Sequence, residues 1–510
     1  MQPAPPAPPQ APHRLPEREP DPAGGTAEAA GCAMPATRRR HPSHHPARRF
    51  RAITLALALA GALSGGITAA AQEARPHQQA RQVTLEIAEA RQLARAANAR
   101  ADYPLALEVS LALLQRDPND QDALIQAASA LIGLGRYDEA VRMARRAHAA
   151  TRNPAQRVLA ARLAASAHFR AGRHVRSEFW LRRAFNAAGD ARTRTLLRQE
   201  FARVRQENPF TATISLSIAP NDNINNGSAA ETITIWNLPF VLSPDARALS
   251  GTEAAASIGL NLRLSRGPRH ETAIALNLYG RSYELSSESR AAAPDVAGSD
   301  YAFAMAEMSL THARRFEGLP GPTAFGITLG RYWYGGAPYI RYGRAQITQG
   351  FELAGGMSAS LRLGRERQRS DRAGGALSDI STLGGSLGLP LAGGARLNFD
   401  LQAAHTESDD PTADNDALRV QIGYAPQARL LGAKLAFSLG VERRDYPVSV
   451  YDPDGRHDLT LSAGARMIFD RIGYLGFSPV LSLETSRTRS NVALYERRST
   501  GLRLSIQSTF

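Results

Sequence analysis

The feature that most constrains this chain begins near Phe210. From there to Phe510, apolar and polar residues alternate with a period of two in one long run after another. Ile214, Leu216 and Ile218 alternate with Thr213, Ser215 and Ser217, and Ile258, Leu260, Leu262 and Leu264 alternate with Ser257, Gly259, Asn261 and Arg263. Leu397, Phe399 and Leu401 stand against Asn398, Asp400 and Gln402; Leu418, Val420 and Ile422 stand against Arg419 and Gln421. Leu435, Phe437, Leu439 and Val441 continue the pattern, and Leu502, Leu504 and Ile506 against Arg503, Ser505 and Gln507 end it. Successive side chains of a strand face opposite ways, so each run carries one apolar and one polar face. The runs last about 9–11 residues, the length that crosses a bilayer as a tilted strand. Strands of a soluble sandwich average about 5–6 residues. The pattern predicts a barrel with a lipid-facing exterior and a wet interior.

Fourteen such segments are legible, centred near residues 215, 259, 278, 306, 329, 345, 362, 384, 400, 420, 438, 463, 483 and 503. The number is even, as bacterial barrels prefer. Longer connections at 220–252, 286–299, 368–378, 405–415 and 445–457 alternate with tight ones at 266–270, 354–356, 390–394, 426–431 and 470–476. Gly335-Gly336 is short where the alternation asks for a long loop, and 313–322 exceeds a tight turn. Long loops outside and short turns inside place both barrel termini in the periplasm.

Composition agrees by exclusion. Mean hydropathy is −0.30, and the chain lacks the repeated runs of about 20 apolar residues that a polytopic helical membrane protein needs. The single cysteine, Cys32, excludes a disulfide scaffold, an Fe–S centre and a thiolate zinc site. Residues 1–30 are Pro/Ala-rich, the composition of a disordered extension or of text upstream of the true start, for which Met34 is the candidate. Arg38 to Arg40, Arg48, Arg49 and Arg51 then precede an apolar run from Ile53 to Leu63, and Ala69-Ala70-Ala71 offers a cleavage site before Gln72. That is a signal peptide occupying the end of segment 1–71. His41, His44 and His45 fall within it and are not expected to bind metal.

From about Val83 to Glu207 the period is helical, and Ala, Leu, Arg and Glu dominate. Tyr103, Ala106 and Leu107 recur 34 residues later as Tyr137, Ala140 and Val141. Gly135-Arg136-Tyr137 is the bend between two helices, and Asp117-Pro118 and Asn153-Pro154 end units. Ala127, Ala128, Ala140 and Ala147 are small where helices must approach. The period resembles the tetratricopeptide repeat, with Leu124 at the usual tryptophan position, and a degenerate third unit runs through Gly172, His174, Ser177, Leu181 and Ala184. Such arrays grip peptide segments on a concave face or serve as spacers. The fold class is therefore α plus membrane β: a TPR-like helical domain at 72–207, then a 14-stranded antiparallel barrel at 208–510.

Charge sits mainly in the helical half. Residues 72–207 carry 23 Arg against 14 acids, and residues 208–510 carry 30 Lys or Arg against 29 acids. A basic face of this kind suits acidic polypeptide or anionic lipid, or is simply a solvated surface. Nucleic acid is not expected of an exported chain without an aromatic-interleaved basic motif.

Asn208-Pro209-Phe210, the first strand, and Ile218-Ala219-Pro220-Asn221-Asp222-Asn223-Ile224-Asn225-Asn226 resemble the surface lipoprotein assembly modifier (Slam) family. The layout of signal, TPR-like domain, barrel and terminal Phe510 resembles it as well. The resemblance implies an outer-membrane translocator that delivers a surface lipoprotein or a secreted haemophore-like protein. It also implies periplasmic chaperones and the barrel-assembly machinery as partners. A monomer in outer-membrane lipid is expected, with no enzymatic activity and no catalytic, cofactor-binding or metal residues.

Inward-facing Asn261, Asn277, Asn398, Gln402, Arg419, Gln421, Arg503 and Gln507 are expected to line a polar interior, because unsatisfied backbone in a dry pore costs several kcal/mol per group. Asn221 to Asn226 form either a functional loop or an ordinary turn. Asp409, Asp410, Asp414 and Asp416 are oxygen-rich but lack the calcium-loop spacing. Tyr332, Trp333, Tyr334, Tyr339 and Tyr342 are expected as an aromatic girdle at the membrane interface. A TPR-plus-barrel polysaccharide exporter or a passive pore is the competing reading. In the barrel half, His270, His312, His405 and His457 have no nucleophile motif around them, which disfavours an enzyme.

Overall fold

The structure, a computed structural model, describes residues 85–508 apart from 236, 237, 373, 473 and 475. The signal segment and Phe510 lie outside the described residues. No helix among them is long and apolar enough to cross a membrane, which says nothing of a β-barrel.

Seven helices open the described chain: α1 (Ile87–Ala99), α2 (Tyr103–Arg116), α3 (Gln121–Gly133), α4 (Tyr137–Ala150), α5 (Pro154–Arg170), α6 (His174–Ala187) and α7 (Ala191–Glu207). Their boundaries follow from capping chemistry. Asp102, Asp120, Asn153 and Asp190 accept hydrogen bonds from the first-turn amides of α2, α3, α5 and α7. Gly135 and Gly172 take left-handed φ of 73° and 70° in the two inter-helix bends, a conformation cheap only for glycine. Ala127, Ala128, Ala140, Ala144, Ala147, Ala160, Ala161 and Ala164 are fully buried, which lets consecutive helices pack backbone to backbone around Leu124 and Leu131.

Fourteen antiparallel strands then close into a barrel: β1 (Phe210–Asn221), β2 (Gly251–Arg266), β3 (His270–Leu285), β4 (Phe303–Arg315), β5 (Pro322–Tyr334), β6 (Ala337–Glu352), β7 (Ser358–Ser370), β8 (Leu377–Pro390), β9 (Arg396–Ser408), β10 (Asn415–Ala425), β11 (Ala433–Tyr446), β12 (Arg456–Ile468), β13 (Phe477–Ser490) and β14 (Arg497–Ser508). Each strand pairs with its sequence neighbours. Ser215 opposite Gln507 joins β1 to β14 and shuts the sheet, which leaves no open edge. All the segments anticipated from alternation are present.

The tight connections, such as 267–269, 353–357 and 391–395, lie at the end where α7 enters β1. Two of them repeat the text Leu-Ala-Gly-Gly, with Gly355, Gly356, Gly393 and Gly394 all at φ near 75°. At the opposite end, Gly335-Gly336 makes a two-residue hairpin with both φ positive, the turn whose twist matches paired strands. The longest connection, 222–250, also stands there and contains a small hairpin of Thr232–Ile235 with Leu238–Val241.

The large apolar side chains of the strands point outward and stay exposed: Leu216, Leu264, Ile327, Leu329, Leu363, Leu401, Leu439, Leu483 and Leu504 are examples. Among the described residues, the buried apolar clusters sit in the helices, under the loops and in one bank on the inner wall. A core built that way leaves the barrel exterior to an apolar solvent.

Candidate functional site

The inner wall is the surface that any transported species would meet. Strand parity places the eight anticipated polar residues on it, because their sequence neighbours carry the exposed apolar groups. Register brings some together. Gln402 lies opposite Arg419, which lies opposite Glu442, and Arg419 Nε is 2.8 Å from a Glu442 carboxylate oxygen. Arg444 reaches the same carboxylate at 2.9 Å. Arg503 passes over β1 to Glu253, at 2.9 Å, where Ala219 lies opposite Glu253 and leaves room. Gln507 accepts from Arg466. Asn261, Asn277, Asn398 and Gln421 face inward without forming a common cluster.

Other inner-wall groups escaped the sequence reading. Glu307, Gly330 and Tyr342 stand in one cross-strand row on β4, β5 and β6. Because Gly330 has no side chain, Tyr342 lies flat across β5 and its hydroxyl donates to Glu307. Arg344 pairs with the buried carboxylate of Glu366 on β7. Arg456 is clamped between the rings of Tyr446, at 3.5 Å, and Tyr495, at 3.7 Å, and is 3.2 Å from Asp458. The usable signal was a glycine inside an alternating strand, which marks a close approach by a neighbour.

The aromatic girdle expected around 332–342 is corrected. Tyr332 and Tyr342 point inward and are buried with Phe303, their rings 4.9 Å apart, and Arg281 lies over Phe303. Phe325, Ile327 and Leu329 occupy the outward parity of β5, so position 332 faces the interior. Trp333 lies at a register shift opposite Pro338.

Asn221 to Asn226 form a structural knot. Asn223 accepts from Gly227 N at 2.7 Å and donates to Gly227 O at 3.0 Å and Arg498 O at 3.3 Å. Asn225 donates to Arg247 O at 2.6 Å and accepts from Leu249 N at 2.9 Å. Ile224 is buried with Leu249, Leu285 and Ala293. The turn reading accounts for Asn223 and Asn225, and Asn226 takes the left-handed φ of 56° that a turn asks of it. Asp409, Asp410, Asp414 and Asp416 each have a separate partner: Leu377 N, Thr412 N, Ser408 N and His405. No group of three metal-ligating side chains occurs among the described residues.

The helices join the barrel through Asn208. Its side-chain amide donates to Glu178 at 2.8 Å, and its side-chain oxygen accepts from Phe210 N at 3.1 Å. Arg263 of β2 donates to the carbonyls of Gln206 and Asn208, at 2.9 and 3.0 Å. At the same end Asp470 is held by Arg429 at 2.6 Å and Lys434 at 3.0 Å, and these cations pull its carboxyl down to about 2.

A closed antiparallel barrel, apolar outside and charged within, carried on a helical array, defines a membrane-type β-barrel with an appended helical domain. No family model and no curated protein matches the chain. Solved structures that it resembles include a bacterial polysaccharide outer membrane secretin, at 8% identity and TM-score 0.32, with 59% of this chain and 98% of that one covered. A BenF-like porin from Pseudomonas fluorescens Pf-5 resembles it at 11% identity and TM-score 0.31, over 59% and 99% of the two chains. CdiB from Acinetobacter baumannii resembles it at 9% identity and TM-score 0.30, over 58% and 60%. Likeness at this level carries no activity over to the chain.

Proposed function

We propose that this protein is an outer-membrane translocator that receives a protein cargo on its periplasmic helical domain and passes it through the barrel to the cell surface. The observation that carries the reading is the junction. A helix-pair array is fixed by Asn208 and Arg263 to the tight-turn end of a barrel whose inner wall is polar. A chain threading such an interior finds partners for its amides in groups such as Gln402, Gln421 and Asn398, so desolvation of unpaired backbone is avoided. Docking on the helices raises the local cargo concentration at the entrance. The text around Asn208 and Asn221 to Asn226 supports a surface lipoprotein or haemophore-like cargo. Barrel-assembly machinery and periplasmic chaperones would serve biogenesis and delivery.

The inward tyrosine bank of Tyr279, Phe303, Tyr332 and Tyr342 favours a second reading, polysaccharide export, because aromatic faces stack on sugar rings. Co-expression separates the two. Surface display of a co-encoded β-rich protein that depends on this chain supports protein translocation. Equal display without the chain overturns it, and surface polysaccharide lost on deletion supports the second reading.

A further inference from the structure

The outer surface carries a second feature that transport does not use. On β13 and β14 the outward rows run Leu483 opposite Leu502, then Thr485 opposite Thr500, then Arg487 opposite Arg498. The threonine hydroxyls are 3.0 Å apart. Arg489 follows, one outward position beyond Arg487 and last before the connection at 491–496. All three arginines are exposed, and among the described residues none forms an ion pair. Several other outward cations of the rim are neutralised: Arg365 and Arg367 meet Asp379, Arg443 and His457 meet Asp445, and Arg331 and Arg341 meet Asp371, whereas Arg369, opposite Arg341, is exposed and has no ion pair among the described residues.

Like charges directly opposite on paired strands destabilise a sheet, so Arg487 and Arg498 are arranged for an anion between them. Two guanidiniums match a phosphate by bidentate hydrogen bonding. Beside them lies an apolar groove of about 510 Å³, bounded by Leu439, Val441, Leu461, Ala463, Thr485 and Arg487. Its floor exists because Ala463 is small where Leu439 and Thr485 flank it in the cross-strand row. A phosphate seat at the rim continuous with an acyl-sized groove below is the shape of one lipid molecule.

We propose that the β11–β14 face binds a phosphate-bearing glycolipid of the outer leaflet, with the headgroup phosphate between Arg487 and Arg498 and an acyl chain against Ala463. The proposal rests on the membrane reading above. If the mature protein is water-soluble without detergent, that reading falls. A detergent-dependent barrel that ignores the lipid overturns only this one.

The test is thermal unfolding of the full mature protein in detergent, followed by the gel mobility of the folded band. Purified lipid A, its dephosphorylated form and inorganic phosphate are added in separate arms. Lipid A is expected to raise the midpoint by several degrees, with little shift from the other two. In R487Q/R498Q the shift is lost, while the lipid-free midpoint stays equal or rises because the like-charge pair is gone. A463L, which fills the groove from the outer face, lowers the lipid shift without lowering the lipid-free midpoint. An equal lipid A shift in R487Q/R498Q, or an equal shift with dephosphorylated lipid A or with phosphate alone, overturns the proposal.

Discussion

Arg263, inside the barrel on β2, caps the carbonyl oxygen of Asn208 at 3.0 Å, so a barrel side chain terminates the last helix of the preceding domain. The same guanidinium holds the carbonyl of Gln206 at 2.9 Å. Orphan carbonyls at a helix C-terminus gain from such a cation. Removing it by Arg263→Ala leaves the part-buried Asn208 carbonyl short of a partner, while Gln206 O keeps Arg266 at 3.2 Å, so the cost is about 1 kcal/mol. The expected outcome is a junction that opens. Limited proteolysis should cut the variant near 205–209 several-fold faster than the native chain, with the barrel band unchanged. An unchanged cutting rate would show that Asn208 and Glu178 hold the junction without Arg263.

The helical domain should carry its own acid sensitivity. His168 is buried on α5, and burial, helped by Arg173 and Arg176, pulls its imidazole down to about 4. The folded state thus holds it neutral, whereas the unfolded chain protonates it near pH 6.5. Between about pH 6.5 and 4 the unfolded state binds the extra proton, so stability is full above that window and falls as the pH drops through it. The loss reaches about 3 kcal/mol at the bottom of the window, since one pKa unit corresponds to about 1.4 kcal/mol. Urea unfolding followed by the helical signal at pH 7 and pH 4.5 measures the slope. His168→Gln should flatten it, and an undiminished slope would assign the acid loss to another group.

Much of the barrel was legible because a strand has one decision to make per residue, inward or outward, and leucine against serine reports it directly. That is why all the strand centres and the polar lining at Gln402, Arg419 and Arg503 could be read from text. Tyrosine reports it poorly, being apolar in its ring and polar at its tip. The bank at Tyr332 and Tyr342 was therefore placed on the wrong face, although the parity running from Leu329 decides it. The junction was illegible for a different reason. Glu178, Asn208 and Arg263 are far apart in sequence and ordinary in type; the packing of α6 on α7 brings Glu178 to Asn208, and the register of β1 on β2 brings Arg263 to the chain just before β1.

Asn223 ties the longest loop to the barrel rim, so its removal should expose that loop. Its amide makes reciprocal hydrogen bonds with Gly227 and reaches Arg498 O. Asn223→Ala leaves the Gly227 amide only its longer bond to Asn225 Oδ1 at 3.3 Å and takes the side-chain donor from Gly227 O, a cost of about 1 kcal/mol concentrated in residues 222–250. Trypsin added to intact cells should then cut after Arg247 in the variant and spare the native chain, provided this end faces the medium. Cutting of both chains alike would mean that the knot does not restrain the loop.

Gly330 and Tyr342 should show strong coupling on the inner wall. A Cβ added at Gly330 would stand 2.3 Å from Tyr342 Cζ. The ring has little freedom to retreat, since Tyr332 packs against it at 4.9 Å and Glu307 holds its hydroxyl. Gly330→Val should therefore destabilise the barrel by about 1–3 kcal/mol, the usual cost of overpacking. Tyr342→Ala removes the obstacle, at its own cost for the lost ring. In that background Gly330→Val should cost little, so the two changes are far from additive. Urea midpoints of the four proteins, read from folded-band mobility, give the interaction directly. Additive losses would place the Tyr342 ring away from β5 and remove the reason for a glycine at 330.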